Sequence, residues 1–259
     1  MLGKWLEFSV HTDDVAESLS FYKALGFTEI ESGDVWTHRH AVVTDGDICI
    51  GLHERVFDSP ALTLVQNDLA KHARSMTDSG YDFSFMRVDE DVFNEIGFTD
   101  RDGHMISLIE ARTFPPPPDD VDDSLCGRWV ELTLPVRDVM QAGFFWAPLA
   151  PAVHAIREEP TMHMRFDAGG LSLGLSESIA LKTPALCFKW FDKDLLDAAL
   201  EQHYIKSEKF PGYEGAARMI EAPEGTRLYL FAEDFLGEGI EVAEGEEPVD
   251  EDVDEDIDI

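Results

Sequence analysis

The chain has 259 residues, 44% of them apolar, and its 53 acidic against 20 basic side chains give a net charge of −33. Of the acids, 12 fall between Glu238 and Asp258, where no basic residue occurs, which leaves −21 on the rest of the chain. A field of that sign repels phosphate backbones and anionic lipid, so neither nucleic acid nor a membrane surface is expected as a partner, and a small molecule bound by a monomer or homodimer is.

No apolar stretch approaches the length of a membrane span. Met1-Leu2-Gly3-Lys4-Trp5 runs directly into a strand pattern, without a charged region followed by an apolar export segment. The three cysteines, Cys49, Cys126 and Cys187, share no C-x-x-C spacing. A reduced, cytoplasmic location is therefore expected, with Cys49 and Cys187 as small core or pocket-wall residues.

In chain order, a short strand at Trp5 to Val10 leads to a helix opened by Asp14, with Glu17 at capping-box spacing and Gly26 as its stop. Its apolar face is Val15, Leu19, Tyr22 and Leu25. Strand patterns follow at Phe27 to Ile30, Trp36 to Val43 and Ile48 to Leu52, separated by Gly and Asp turns. The pattern restarts with a strand at Leu62 to Val65, a helix near Asp68 to Asp78 stopped by Gly80, and strands near Tyr81 to Met86, Asn94 to Thr99 and His104 to Ile109. Thr113 to Gly127 holds Pro115-Pro116-Pro117-Pro118 and then Asp119-Asp120-Val121-Asp122-Asp123, a stiff and charged spacer that has nothing to bury. Beyond it the series repeats at Trp129 to Leu175 and Leu186 to Phe231, with Asp138 and Gln141 opening its first helix. After about Phe235 the composition is that of a solvated tail. The predicted organisation is a first module at 1–112, a linker at 113–127, a second module at 128–236 and an acidic, disordered tail at 237–259.

The modules are copies of each other. Lys4-Trp5-Leu6-Glu7, Asp14 and Phe21-Tyr22 align without a gap on Arg128-Trp129-Val130-Glu131, Asp138 and Phe145-Trp146. Further on, His40 falls opposite His163, Gly51 opposite Gly174, Pro60-Ala61-Leu62 opposite Pro184-Ala185-Leu186, and Gly103 opposite Gly225. Whatever both copies retain is where a function is first sought.

Four strand-helix-strand-strand-strand units in series define an α+β fold of tandem βαβββ units. Phe21-Tyr22-Lys23-Ala24-Leu25-Gly26-Phe27 and Thr99-Asp100-Arg101-Asp102-Gly103-His104, with Glu221-Ala222-Pro223-Glu224-Gly225 as a weaker echo, resemble the F-Y-x-x-L-G-F and D-P-D-G signatures of the vicinal oxygen chelate superfamily. That superfamily groups glyoxalase I, bleomycin-resistance proteins and extradiol dioxygenases, and the resemblance covers about residues 4 to 234. It implies half-barrel modules whose inner faces hold a ligand. It also implies metal-ligand positions at Glu7, Gly51, Ala61 and Ser107, and at Glu131, Gly174, Ala185 and Tyr229. One carboxylate in four falls short of the roughly three protein donors that even an open site needs, so no family metal or other cofactor is expected.

Alternation along the opening strands predicts that Trp5, Glu7 and Ser9, and Trp129, Glu131 and Thr133, face the cavities while Leu6, Phe8 and Val10 and their counterparts pack on the helices. The same parity turns His38 and His40, and His163 and Arg165, inward. Glu7 and Glu131 are thus candidate general bases or partners of a cationic ligand, the alternative being structural pairs with a neighbouring His or Arg. His38 and His40 with Glu7 are the one set that an unusual metal site would draw on; the alternative is plain hydrogen bonding. Trp5 and Trp129 are candidates to stack on a guest, or else pack under the linker. Ser107 and Tyr229 complete the expected ligand contacts, and His53, His72, His104, His154 and His203 are expected to face solvent. The reading nearest the bleomycin-resistance binders is a protein that holds a small organic molecule in an aromatic, carboxylate-lined cavity. Its rivals are a lyase, isomerase or extradiol-type dioxygenase, metal-dependent through an unusual ligand set or metal-free with a Glu base, and an interaction protein using its acidic tail.

Overall fold

The computed structural model describes residues 2–31, 37–89, 93–111, 121, 124–150, 153–158, 161–189, 192–209, 217–231 and 240–241. The first module contains β1 (Lys4–His11), α1 (Val15–Ala24), β2 (Thr28–Ile30), β3 (His40–Thr44), β4 (Cys49–His53), β5 (Ala61–Val65), α2 (Leu69–Asp78), β6 (Phe85–Arg87), β7 (Glu95–Thr99) and β8 (Met105–Ile109). The second contains β9 (Arg128–Pro135), α3 (Val139–Trp146), β10 (Val153–Arg157), β11 (His163–Ala168), β12 (Leu171–Ser176), β13 (Ala185–Lys189), α4 (Lys193–Gln202), β14 (Ser207–Lys209), β15 (Ala217–Glu221) and β16 (Arg227–Phe231). These are the four βαβββ units of the sequence pattern.

The local signals act as their chemistry requires. The Asp14 carboxylate accepts from the Ala16 and Glu17 amides, and Asp138 accepts from Gln141, so each satisfies amides that the first helical turn leaves unpaired. Gly26 closes α1 at φ +87°, a conformation that a Cβ would strain. Asp68, expected to open α2, instead sits in the left-handed region at φ 52° and makes no side-chain cap.

The first sheet runs β2-β3-β4-β1-β5-β8-β7-β6 and the second β14-β15-β16-β13-β9-β12-β11-β10, the latter extended at its edge by β17 (Ile240–Glu241) on β10. Within each module the opening strands of its two units pair antiparallel at the centre, and each opening strand pairs parallel with the last strand of its own unit. One face of each sheet is turned to the helices and buries a core that spans both modules, including Phe8, Tyr22, Ile50, Leu62 and Leu108 with Leu132, Trp146, Leu173 and Phe188. The modules are also tied by hydrogen bonds: Tyr22 and Ser18 on α1 donate to Glu224 at 2.7 and 2.8 Å, and Arg137 reaches Asp102 at 2.9 Å. Tyr22 of the F-Y pair is thus fastened to the echo turn of the other module. Of the predicted tail, Ile240 and Glu241 form β17; the rest of it, like most of the proline and aspartate spacer, lies outside the described residues.

Candidate functional site

The face of each sheet turned away from the helices is where the predicted site residues belong. In the first module the register sets Ser9 beside both Gly51 and Ala61, Glu7 beside Thr63, and Thr63 beside Ser107. Glu7 is 3% exposed. One of its oxygens accepts from the Ser9 hydroxyl at 2.7 Å and from His53 Nε2 at 2.7 Å, and Thr63 lies 2.7 Å from Ser9 Oγ to complete the chain. Burial by itself raises the Glu7 pKa, but the hydrogen bond and charge of His53, aided by Ser9, outweigh it and hold the carboxyl below its usual range. Gly51 is what admits this arrangement, because a Cβ there would overlap the Glu7 carboxylate.

Around this floor lies a cavity of about 370 Å³. Ser9, Thr63 and Ser107 give it a hydroxyl stripe, and Phe57, Phe85 and Met105 supply apolar wall. His38, His53, Arg55, Arg87 and Glu95 add charge and proton donors, with both guanidinium groups 3.5 to 3.7 Å from the Glu95 carboxylate. A volume of this size suits a small organic molecule. Gly97 leaves room for the Phe85 ring, which a Cβ at that position would overlap.

Three imidazoles gather at one end. His38 Nε2 lies 2.9 Å from His53 Nδ1, the His40 ring stacks on that of His53 at 5.9 Å, and His40 Nδ1 is 3.2 Å from the His38 carbonyl. Burial, with the charges of His53 and Arg55, pulls the His38 pKa down to about 4. His38 therefore belongs to the cavity wall, and His40 stands behind His53.

The second module has the same kind of floor. Glu131 is fully buried and is held by Thr133, by His163 Nε2 at 3.2 Å and by Arg165 Nε at 2.8 Å, with Gly174 again making room for the carboxylate. Burial raises its pKa, and the charges and hydrogen bonds of His163 and Arg165 bring it back below the usual range. Tyr229, Cys187, Ala185, Ala217 and Phe231 close over this face as a small apolar cluster together with Leu181 of the preceding loop. By register, Tyr229 and Met219 stand where the first module has Ser107 and Gly97.

The structure corrects several expectations. Tyr229 is 2% exposed and packs with Cys187 and Phe231 in an apolar cluster. Glu131, His163 and Arg165 do meet, His163 and Arg165 pairing with the Glu131 carboxylate. Trp5 and Trp129 do not share the face of Glu7 and Glu131: Trp5 stands opposite Leu64 and packs in the main core, while Trp129 stands opposite Phe188 with their rings 5.3 Å apart. A register shift between Trp5 and Glu7, matched by one in the second module, breaks the alternation that strict parity assumes. His53, expected in solvent, is 2% exposed and bonded to Glu7, and His104 is tied to Asp100 at 2.8 Å. His53 was legible in principle, since it follows Gly51 by two residues and so shares its face; Thr63 follows Ala61 in the same way. Arg55, Phe57, Phe85, Arg87 and Glu95 carry no motif and converge only in the folded sheet.

The positions implied by the resemblance meet on the floor of the first module, where they offer one carboxylate and one hydroxyl. Glu7 is engaged by Ser9 and His53, Gly51 and Ala61 bring no donor, and Ser107 brings only a hydroxyl. Among the described residues no group of three or more His, Cys, Asp or Glu side chains is arranged to hold a metal ion. Burial pushes the Cys49 thiol up to about 11 and the Cys187 thiol up as well, away from nucleophilic thiolate character.

Two βαβββ modules, the first with a ligand-sized cavity on its inner face, have the fold of the vicinal oxygen chelate superfamily. Residues 6–108 match the family model of the Glyoxalase/Bleomycin resistance protein/Dioxygenase superfamily, and the first module belongs to that superfamily, whose fold the chain as a whole adopts. Similar solved structures include a catechol 2,3-dioxygenase (14% identity, 88% of this chain and 87% of that one, TM-score 0.57). A variant of homoprotocatechuate 2,3-dioxygenase from Brevibacterium fuscum (14%, 90% and 72%, 0.58) and a Mn(II)-bound glyoxalase from Novosphingobium aromaticivorans (10%, 88% and 81%, 0.54) are similar too. Likeness at this identity establishes the fold alone. No curated protein sequence matches the chain. No helix of the described residues is long and apolar enough to cross a membrane.

Proposed function

We propose that the protein binds a small organic molecule in the cavity of its first module, without a family-type metal. The observation that carries this reading is the contrast between two copies of one fold. Ser107 lines the first cavity and Gly97 makes room for the Phe85 ring of its wall, while Tyr229 and Met219 stand at those register positions in the second module and pack with Leu181 in an apolar cluster. Supporting it, the wall combines apolar area with hydroxyl, imidazole and guanidinium groups, the mixture by which pockets orient a guest.

Ser107→Tyr copies the second module into the first and tests the reading. Aromatic fragments, benzoate and benzamide among them, are screened by ligand-observed NMR against both proteins. Wild type should bind a subset, with affinity at least tenfold weaker in Ser107→Tyr and an undiminished melting temperature. Equal binding by the two proteins, or none by wild type, defeats the proposal.

A further inference from the structure

The wall of the first cavity carries its charges out of balance. Glu95 on β7 is buried and stands opposite Arg87 on β6. One of its oxygens lies 3.5 Å from an Arg55 nitrogen and 3.7 Å from an Arg87 nitrogen, and all three side chains line the cavity. One carboxylate between two guanidinium groups leaves one positive charge. Both separations exceed the roughly 2.7 to 2.9 Å of a formed charge-assisted bond, and among the described residues neither guanidinium donates a hydrogen bond. The planar forks of N–H groups thus stand at the cavity with most of their donors unused. Arg87 is steadied from the side by the Phe85 ring, 5.9 Å from its guanidinium carbon.

The second module shows that the fold does not require these charges. Ala217, opposite Phe231, takes the place of Glu95, opposite Ile109. Ser178, two residues beyond β12, takes the place of Arg55, two residues beyond β4.

We infer that the first cavity takes a small organic carboxylate, with its anionic end on Arg55 and Arg87 and its apolar body against Phe57, Phe85 and Met105. The inference rests on the cavity being a ligand site. A bound monoanion completes a neutral set of two guanidinium and two carboxylate groups, in which each fork can meet a carboxylate edge with two parallel hydrogen bonds. A cationic guest would meet the surplus positive charge, and a neutral one would leave it uncompensated. A dianion would overshoot the balance, and a bare inorganic anion has no body to set against the apolar wall. Asp58 also lines the cavity, but it is exposed and pairs with neither guanidinium. The net charge of −33 opposes the approach of any anion, yet a field of that kind is screened over about 10 Å at 0.1 M salt, whereas the two forks act at contact.

Benzoate, benzamide and benzylamine share one ring and differ in charge, so their affinities for the full-length protein, measured by ligand-observed NMR at neutral pH, test the assignment. Wild type should bind benzoate at least about tenfold more tightly than either of the others. Arg87→Gln and Arg55→Gln should each weaken benzoate at least about fivefold, with the affinity for benzamide unchanged and a cooperative melting transition retained. Uncharged or cationic fragments that bind as tightly as benzoate or more so overturn the carboxylate assignment and leave the cavity standing as a binding site. Benzoate affinity unaltered in either variant overturns it as well. A protein that binds none of the three probes and no other aromatic fragment overturns both readings.

Discussion

Gly51→Ala adds a single methyl group, and the structure makes its cost large. At an ordinary strand position the change would reduce unfolded-chain entropy and stabilise by about 0.4 to 1 kcal/mol. Here the new Cβ occupies the place of the Glu7 carboxylate, which must swing off its hydrogen bonds with His53 and Ser9 at 2.7 Å each. A charge-assisted bond contributes about 1.5 to 3 kcal/mol and a neutral one about 1. Loss of both from a buried carboxylate agrees with the roughly 3 to 5 kcal/mol expected when a buried ion pair is broken. Midpoints in urea, with an unchanged slope, should report that loss, and the melting temperature should fall by about 10 °C. The decisive control is the same substitution in a Glu7→Ala background, where the methyl group has room and should cost less than about 1 kcal/mol, a coupling of at least about 2 kcal/mol. Equal costs in the two backgrounds would refute the claim that Gly51 exists to admit Glu7.

Acid should destabilise the protein in two overlapping steps. His38 is held at about 4 against an ordinary 6.5, so its contribution is complete above about pH 6.5 and is lost as the pH falls toward 4. Glu7 and Glu131 are held below their usual 4.5, so their contribution is complete above that value and is lost as the pH falls through their folded values. Asp45, which burial raises to about 6, acts in the opposite sense between about pH 6 and 3.8, so the His38 contribution is read by difference: relative to wild type, His38→Gln should lose less melting temperature as the pH falls from about 6.5 to 4, and an unaltered profile in that variant contradicts the assignment. Protein dialysed against a mild chelator should retain less than about 0.2 equivalents of Zn, Fe, Mn or Ni by elemental analysis, because a true site binds far more tightly than that. Near-stoichiometric metal would reject the metal-free reading and turn attention to Glu7, His38 and His53 as ligands.

The duplication, the four βαβββ units and the Asp14 and Asp138 caps were legible in the sequence, because each depends on local periodicity or on contacts a few residues apart. So was the recurrence in both copies of an inner-face Glu on the first strand and a Gly on the fourth, though not its reason, which is that the Glu side chain lies in the space the Gly leaves empty. What only the tertiary structure decided is which face Trp5 and Trp129 occupy and which residues gather around the cavity of the first module. A one-residue slip in the pairing of β1 with β5, and of β9 with β13, reverses the parity of the tryptophans, and no property of either strand taken alone announces it. The wall of the first cavity depends on Ser107 and Gly97 lying across from Thr63 and Phe85, and the apolar cluster of the second module on Tyr229 and Met219 meeting Leu181. Those meetings bring together segments tens of residues apart, so they are consequences of strand register and appear only once the sheets have formed.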